Sequence, residues 1–321
     1  MKKTLIALAA LAASGAVFAQ STATISGSIN VGVMNTGAPA TSTGVSSLGG
    51  GANAVNLEAV EDLGGGLKGG FTSQIRFNAA TGDRNSSGTG NALFHAANVF
   101  VSGGFGTVRI GKIAEASNCA LDPWGCTGGA GIAGGSANGV NGLIAAGTVA
   151  NSVSYTTPTI AGFSASYQTS ISTRANERQV LNLTYANGPL GLQVLRSNNA
   201  ANVAADGASI PTDAEGSGTS VGGSYDFGVA KVSLFNAKTK AANGSTSAKV
   251  NALGISMPMG AYTLLGGYAK DSIKAANADT RFAVGVNYAL SKRTTLGADL
   301  FKAEAGAGTD TGYTVRVRHT F

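Results

Sequence analysis

Over its last nine residues the chain alternates strictly in character. Tyr313, Val315, Val317, His319 and Phe321 fall on one face of a strand, and Thr314, Arg316, Arg318 and Thr320 on the other, because strand side chains alternate with period 2. One face is apolar or aromatic and the other hydroxylic and cationic. Such a strand suits a wall between lipid and water, and a soluble sheet with one buried face would show the same alternation. The rest of the chain decides between them.

The N-terminus reads as an export signal. Lys2 and Lys3 form a positive n-region, Leu5 to Ala13 an apolar run, and Val17-Phe18-Ala19 a small-residue cleavage site before Gln20. A membrane-spanning helix needs about 20 apolar residues, so the run is too short to be an anchor. The expected division is a signal peptide over 1–19 and a single barrel domain over 20–321. Losing Lys2 and Lys3 leaves 20 basic residues against 16 acidic. That mild excess, without a basic run interleaved with aromatics, gives no reason to expect a nucleic-acid partner.

Hydrophobic residues make up 43 % of the chain, yet beyond the leader no apolar run is long enough for a transmembrane helix. Alternating hydrophobicity at low charge is what a membrane β-barrel requires, with lipid outside and water inside. Sixteen segments carry the alternation. Ile25, Gly27, Ile29, Val31 and Val33 oppose Ser26, Ser28 and Asn30; Phe71, Ile75 and Phe77 oppose Thr72, Gln74 and Arg76; Phe282, Val284, Val286 and Tyr288 oppose Arg281 and Asn287. Seven short connections, near 61–66, 103–105, 157–161, 187–190, 227–228, 258–260 and 290–293, alternate with eight longer polar ones, of which 115–147 is the longest. Short periplasmic turns and long external loops belong to an outer-membrane barrel. Pro39, Pro123, Pro158, Pro189, Pro211 and Pro258 all fall in expected connections, as a closed barrel without edge strands would demand.

The fold class is therefore all-β: a transmembrane antiparallel barrel of 16 strands. Its water-facing parity nominates Glu58, Gln74, Arg76 and Arg109 for the pore wall, where charged side chains set ion preference. Lys112, Glu115 and Asp122, at the start of or within segment 115–147, are candidates for opposing charges; the alternative is that all of these are ordinary solvated lumen charges. Cys119 and Cys126, the only cysteines, lie close together in the same segment. In an oxidising envelope they read as a disulfide, stiffening the pore segment or acting only as a local staple. Metal binding is disfavoured because no histidine is near. Trp124, the sole tryptophan, either packs on a wall or stacks with a solute. His95 and His319 accompany no nucleophile elbow or metal-binding helix, so neither an enzyme nor a cofactor is expected.

Three motifs resemble the general porins of Gram-negative outer membranes: Glu61-Asp62-Leu63-Gly64-Gly65-Gly66-Leu67-Lys68, Gly103-Gly104-Phe105-Gly106-Thr107-Val108 and Asn151-Ser152-Val153-Ser154-Tyr155. The closing Val315 to Phe321 fits as well. The resemblance implies a homotrimer with an external third loop folded into the lumen. It also implies a terminal strand (Tyr313, Val315, Val317, Phe321) recognised by the barrel-insertion machinery. The chain departs from the family where wall arginines are usual, at Ala54, Ala96, Thr148 and Ser154, and has Glu58 where a base is usual. It also lacks a Pro-Glu-Phe-Gly in the third loop. The expected function is passive diffusion of ions and small hydrophilic solutes through a channel surrounded by outer-membrane lipid. The alternatives are a substrate-specific channel or a surface structural protein built as a solenoid, for which a fixed repeat period is lacking.

Overall fold

The computed structural model describes residues 21–37, 43–48, 53–84, 93–126, 130–132, 147–171, 178–199, 215–241, 243–273, 280–305 and 308–321; the expected leader lies outside them. The strands are β1 (Thr22–Asn35), β2 (Gly44–Ser47), β3 (Ala54–Gly64), β4 (Leu67–Arg76), β5 (Ala96–Gly103), β6 (Gly106–Ala114), β7 (Thr148–Thr156), β8 (Phe163–Ser170) and β9 (Arg178–Asn187). They continue as β10 (Leu190–Asn199), β11 (Glu215–Asp226), β12 (Lys231–Ala241), β13 (Thr246–Met259), β14 (Tyr262–Asp271), β15 (Thr280–Ala289), β16 (Thr294–Ala305) and β17 (Gly308–Thr320). All neighbours are antiparallel, and β1 pairs with both β3 and β17, which closes the sheet. The short β2 adds to the edge of β1 beyond β3, so the wall itself has sixteen strands.

Closure comes from the two ends of the wall. Thr320 pairs with Ser28 and Tyr313 with Asn35. Beyond the strand, Phe321 and Gly27 exchange both backbone hydrogen bonds, at 2.9 and 3.0 Å. A closed ladder leaves no free edge, the only way a sheet can span hydrocarbon.

Alternation sorts the faces as expected. Ile25, Phe71, Val99, Ile110, Leu181, Val221, Leu234, Leu253, Phe282 and Val315 are all exposed on the outside. So continuous an apolar surface would aggregate in water; in a bilayer it is the solvated face. At one short turn, Gly64, Gly65 and Gly66 have φ of 81°, 62° and 81°, a left-handed path that only glycine follows without strain. This explains the Glu-Asp-Leu-Gly-Gly-Gly motif, although Glu61, Asp62 and Leu63 still belong to β3.

One expectation needs correction. Pro258 lies inside β13, opposite Thr263, rather than in a connection. Pairing of β13 with β12 ends at Ser256, so Pro258 has a neighbouring strand on one side only. A residue lacking an N–H is tolerated there.

The inner face has two unlike halves, which alternation alone did not reveal. From β1 to β8 the inward residues are mainly polar: Ser26, Asn56, Thr72, Gln74, Asn98 and Gln168. From β10 to β16 they include Leu195, Phe235, Ala237, Val250, Ala269, Ala283 and Phe301, all buried in one apolar cluster. Wall strands facing open water do not need such side chains. Something must cover them.

Candidate pore-lining site

The covering element is the segment after β6. Its base is fixed by a backbone bond from Glu115 N–H to the Gly147 carbonyl, 2.9 Å, and by a buried ion pair. Arg178, the first residue of β9, donates from Nε and Nη2 to the two carboxylate oxygens of Glu115, the latter at 2.6 Å. The Gly147 N–H donates to the same carboxylate at 3.0 Å. Two charges buried this deeply are tolerable only when each satisfies the other.

Beyond the base, the segment runs along the apolar half of the wall. Gln193 of β10 donates to the Ser117 carbonyl (3.1 Å), and Ser233 of β12 to the Leu121 carbonyl (2.7 Å). Trp124 reaches furthest, its indole N–H donating to Asp299 of β16 at 2.9 Å. Asp299 also accepts from Arg316 of β17 at 2.5 Å, and the same guanidinium donates to Asn287 of β15 at 2.7 Å. Leu121, Trp124, Ala130 and Ile132 thereby join the apolar cluster of the wall.

Inward-facing glycines make room for this contact. A methyl group at Gly222 would lie 2.5 Å from Leu121, at Gly254 2.5 Å from Pro123, and at Gly267 2.7 Å from Ile132 and 2.9 Å from Trp124. These glycines on β11, β13 and β14 form a track on which the segment rests. Asp122 braces the tip from within, accepting the Trp124 and Ile132 N–H groups at 3.0 and 3.1 Å. The Cys119–Cys126 disulfide, with Cα atoms 5.2 Å apart, closes a ring around these anchoring residues. Residues 127–129 and 133–146 lie outside the described residues.

The polar half of the wall bounds a cavity of about 440 Å³, lined by Ser26, Asn56, Glu58, Gln74, Asn98 and Arg109 among others. Arg109 lies with its guanidinium 5.1 Å from the Phe100 ring centroid and donates to Asn98 at 3.4 Å; Asn98 also accepts from Thr72 at 3.1 Å. Arg76 donates to Gln74 at 2.6 Å, and Gln74 to Asn56 at 2.8 Å. Glu58 is exposed, in register with Thr24 and Thr72, and forms no ion pair among the described residues. Two hydrogen-bonded rows thus hold Arg76 and Arg109 on the polar wall.

Of the seven nominated pore residues, Glu58, Gln74, Arg76 and Arg109 therefore share the polar half. Glu115 and Asp122 are withdrawn from it, buried at the base and tip of the docked segment. Lys112 falls within β6, opposite Ala97 and on the register face of Ile110 and Val99, its ammonium donating to the Phe94 carbonyl at 3.3 Å. His95, in the connection before β5, is buried. Desolvation, together with the positive charges of Arg76 and Lys112, pushes its pKa down to about 3, so it is neutral at physiological pH. Trp124 packs on the wall instead of facing the water path.

Sequence reading missed Arg178, Asp299, Arg316 and the glycine track. A signal was present: Phe235, Ala237, Ala248, Val250 and Ala252 make the inward parity of β12 and β13 apolar, and around Ala283 both parities are apolar, which is not the pattern of a wall facing open water.

A sequence model of the Gram-negative porin family matches residues 4–307. An outer membrane porin protein of Delftia acidovorans is 32% identical over 330 residues, covering 94% of this chain and 89% of its own. An outer membrane porin protein of Bordetella pertussis is 30% identical, covering 75% and 74%. Among solved structures, the anion-selective porin from Comamonas acidovorans superposes with a TM-score of 0.72 at 26% identity, covering 94% of this chain and all of its own. A variant of the Rh. blastica porin shares the fold alone, with a TM-score of 0.67 at 16% identity.

Proposed function

The chain belongs to the Gram-negative porins, and from that premise we propose that it passes small anions more readily than small cations. It resides in the outer membrane as a multi-pass barrel, where it forms a water-filled channel for ions and small hydrophilic solutes. The water path runs between the docked segment and the polar half of the wall, so the segment sets the constriction.

One observation carries the preference. Glu115, Asp122 and Asp299 are each engaged, by Arg178, by backbone N–H groups and by Arg316 with Trp124. Beside the docked segment the polar wall bears Arg109, which lines the cavity with Glu58, and Arg76, which is hydrogen-bonded to Gln74. The anion selectivity of the Comamonas acidovorans porin agrees with this reading. A single excess cation in a partly hydrated lumen contributes about 1 kcal/mol, or roughly fivefold in permeability. Salt screens it over about 10 Å at 0.1 M.

The test is the reversal potential of the purified protein in a planar bilayer under a salt gradient. The native channel is expected to favour anions modestly, Arg76→Gln/Arg109→Gln to abolish or invert the preference, and Glu58→Gln to strengthen it. Cation preference in the native channel would overturn the proposal.

The assembly expectations rest on family membership and on the closing contact between Phe321 and Gly27. We infer removal of residues 1–19, a homotrimer, and recognition of Tyr313, Val315, Val317 and Phe321 by the insertion machinery. Mass spectrometry of the native assembly should give three copies beginning at Gln20, and a chain lacking Phe321 should accumulate less assembled barrel. A monomer, a retained leader or full assembly without Phe321 would each refute the matching part.

A further inference from the structure

The outward face carries charge where a lipid-facing wall has little use for it. By register Arg196 of β10, Lys238 and Lys240 of β12, Lys249 of β13 and Lys270 of β14 share faces with Val194, Leu234, Leu253 and Tyr268, and all five cations are exposed. Every one lies within a few residues of an external connection, at the external end of its strand. Arg196, Thr219, Lys238 and Lys249 pair in turn across four strands as one row.

Among the described residues no acid neutralises this row. None of the five cations forms an ion pair among the described residues. Asp271 points inward, 3% exposed, and accepts the N–H groups of Lys249 and Ile273. Lys238 lies directly opposite Lys249, a like-charge juxtaposition that destabilises a sheet unless an anion sits between. Two strands on, Lys302 has its own acid, Glu304, at 2.8 Å, and the unneutralised sector ends there. At the same end of β1, β3, β4 and β5 the outward residues are Asn35, Val55, Ile75 and Ala97, and β6 has the single cation Lys112, which donates to the Phe94 carbonyl, so the cluster of five lies in one sector of the rim.

The order along the wall indicates the partner. Below the cations lies an amide step, with Asn236 donating to Asn251 at 2.9 Å. Below that come exposed Leu234, Leu253 and Tyr268. Cation, amide and apolar side chain follow the order of phosphate, polar linkage and acyl chain in a lipid. We propose that this sector binds the phosphate groups of lipid in the external leaflet, which supplies the anions the strands lack.

Native mass spectrometry of the intact protein, titrated with lipid A or with its dephosphorylated form, tests the assignment. Lipid A is expected to remain bound while the dephosphorylated lipid binds at least about tenfold more weakly. Lys238→Gln/Lys249→Gln/Lys270→Gln should lose a similar factor for lipid A, and the matching arginine triple variant should retain it. Equal retention of both lipids by the native protein would overturn the proposal even if the glutamine variant failed to fold. So would undiminished binding by that variant, displacement of the lipid by millimolar inorganic phosphate, or loss of chain–chain association in place of lipid.

Discussion

Glu115→Leu is expected to cost about 3–5 kcal/mol, whereas Glu115→Leu together with Arg178→Leu should cost much less or nothing. The single change leaves Arg178, 2% exposed in its side chain, as an uncompensated charge at the base of the docked segment. The double change replaces a desolvated pair by apolar side chains and removes the charge with its partner. Trp124 offers a direct readout because it is the only tryptophan and is 5% exposed. In the single variant its emission should shift to the red at lower urea than in the native protein, and in the double variant the midpoint should largely return. Additive losses would mean that the two residues act separately and that the pair does not anchor the segment.

Trp124→Ala is expected to release the tip of the segment while leaving the barrel closed. Truncating a buried tryptophan costs about 3–5 kcal/mol, and here it also removes the hydrogen bond to Asp299. The strands hold one another through ladders that this side chain does not touch, so the loss falls on docking. Single channels should still insert, with larger and noisier open currents, and the segment should become sensitive to externally added protease. Trp124→Phe retains most of the packing and loses only the bond to a buried carboxylate, about 1.5–3 kcal/mol. Gly267→Leu should mimic Trp124→Ala from the other side, since even a first methyl group there would approach Trp124 to 2.9 Å. Quiet currents of native size in Trp124→Ala would show that the tip does not define the pore.

Much of the wall was legible from sequence because a barrel strand obeys a local rule. Ile25 faces out and Ser26 in, whatever the rest of the chain does, and connection lengths gave the topology. Pro258 escaped the rule because its position depends on where the neighbouring strand stops. The candidate site was legible only in part. Arg76 and Arg109 could be assigned to the lumen from parity, but nothing local distinguishes Glu58, exposed to the cavity, from Glu115, buried against Arg178 63 residues away. Both are acids near the same opening. Nor does sequence distance relate Trp124 to Asp299, 175 residues apart.

The sequence by itself determined that the chain is a closed membrane wall, how many strands it has and which parity meets lipid, because hydrophobic alternation is imposed residue by residue by the two solvents. Only the tertiary structure decided which lumen charges remain available to ions. Whether a buried carboxylate keeps its charge for the water path or gives it to a partner depends on contacts made across the barrel, after the segment has docked.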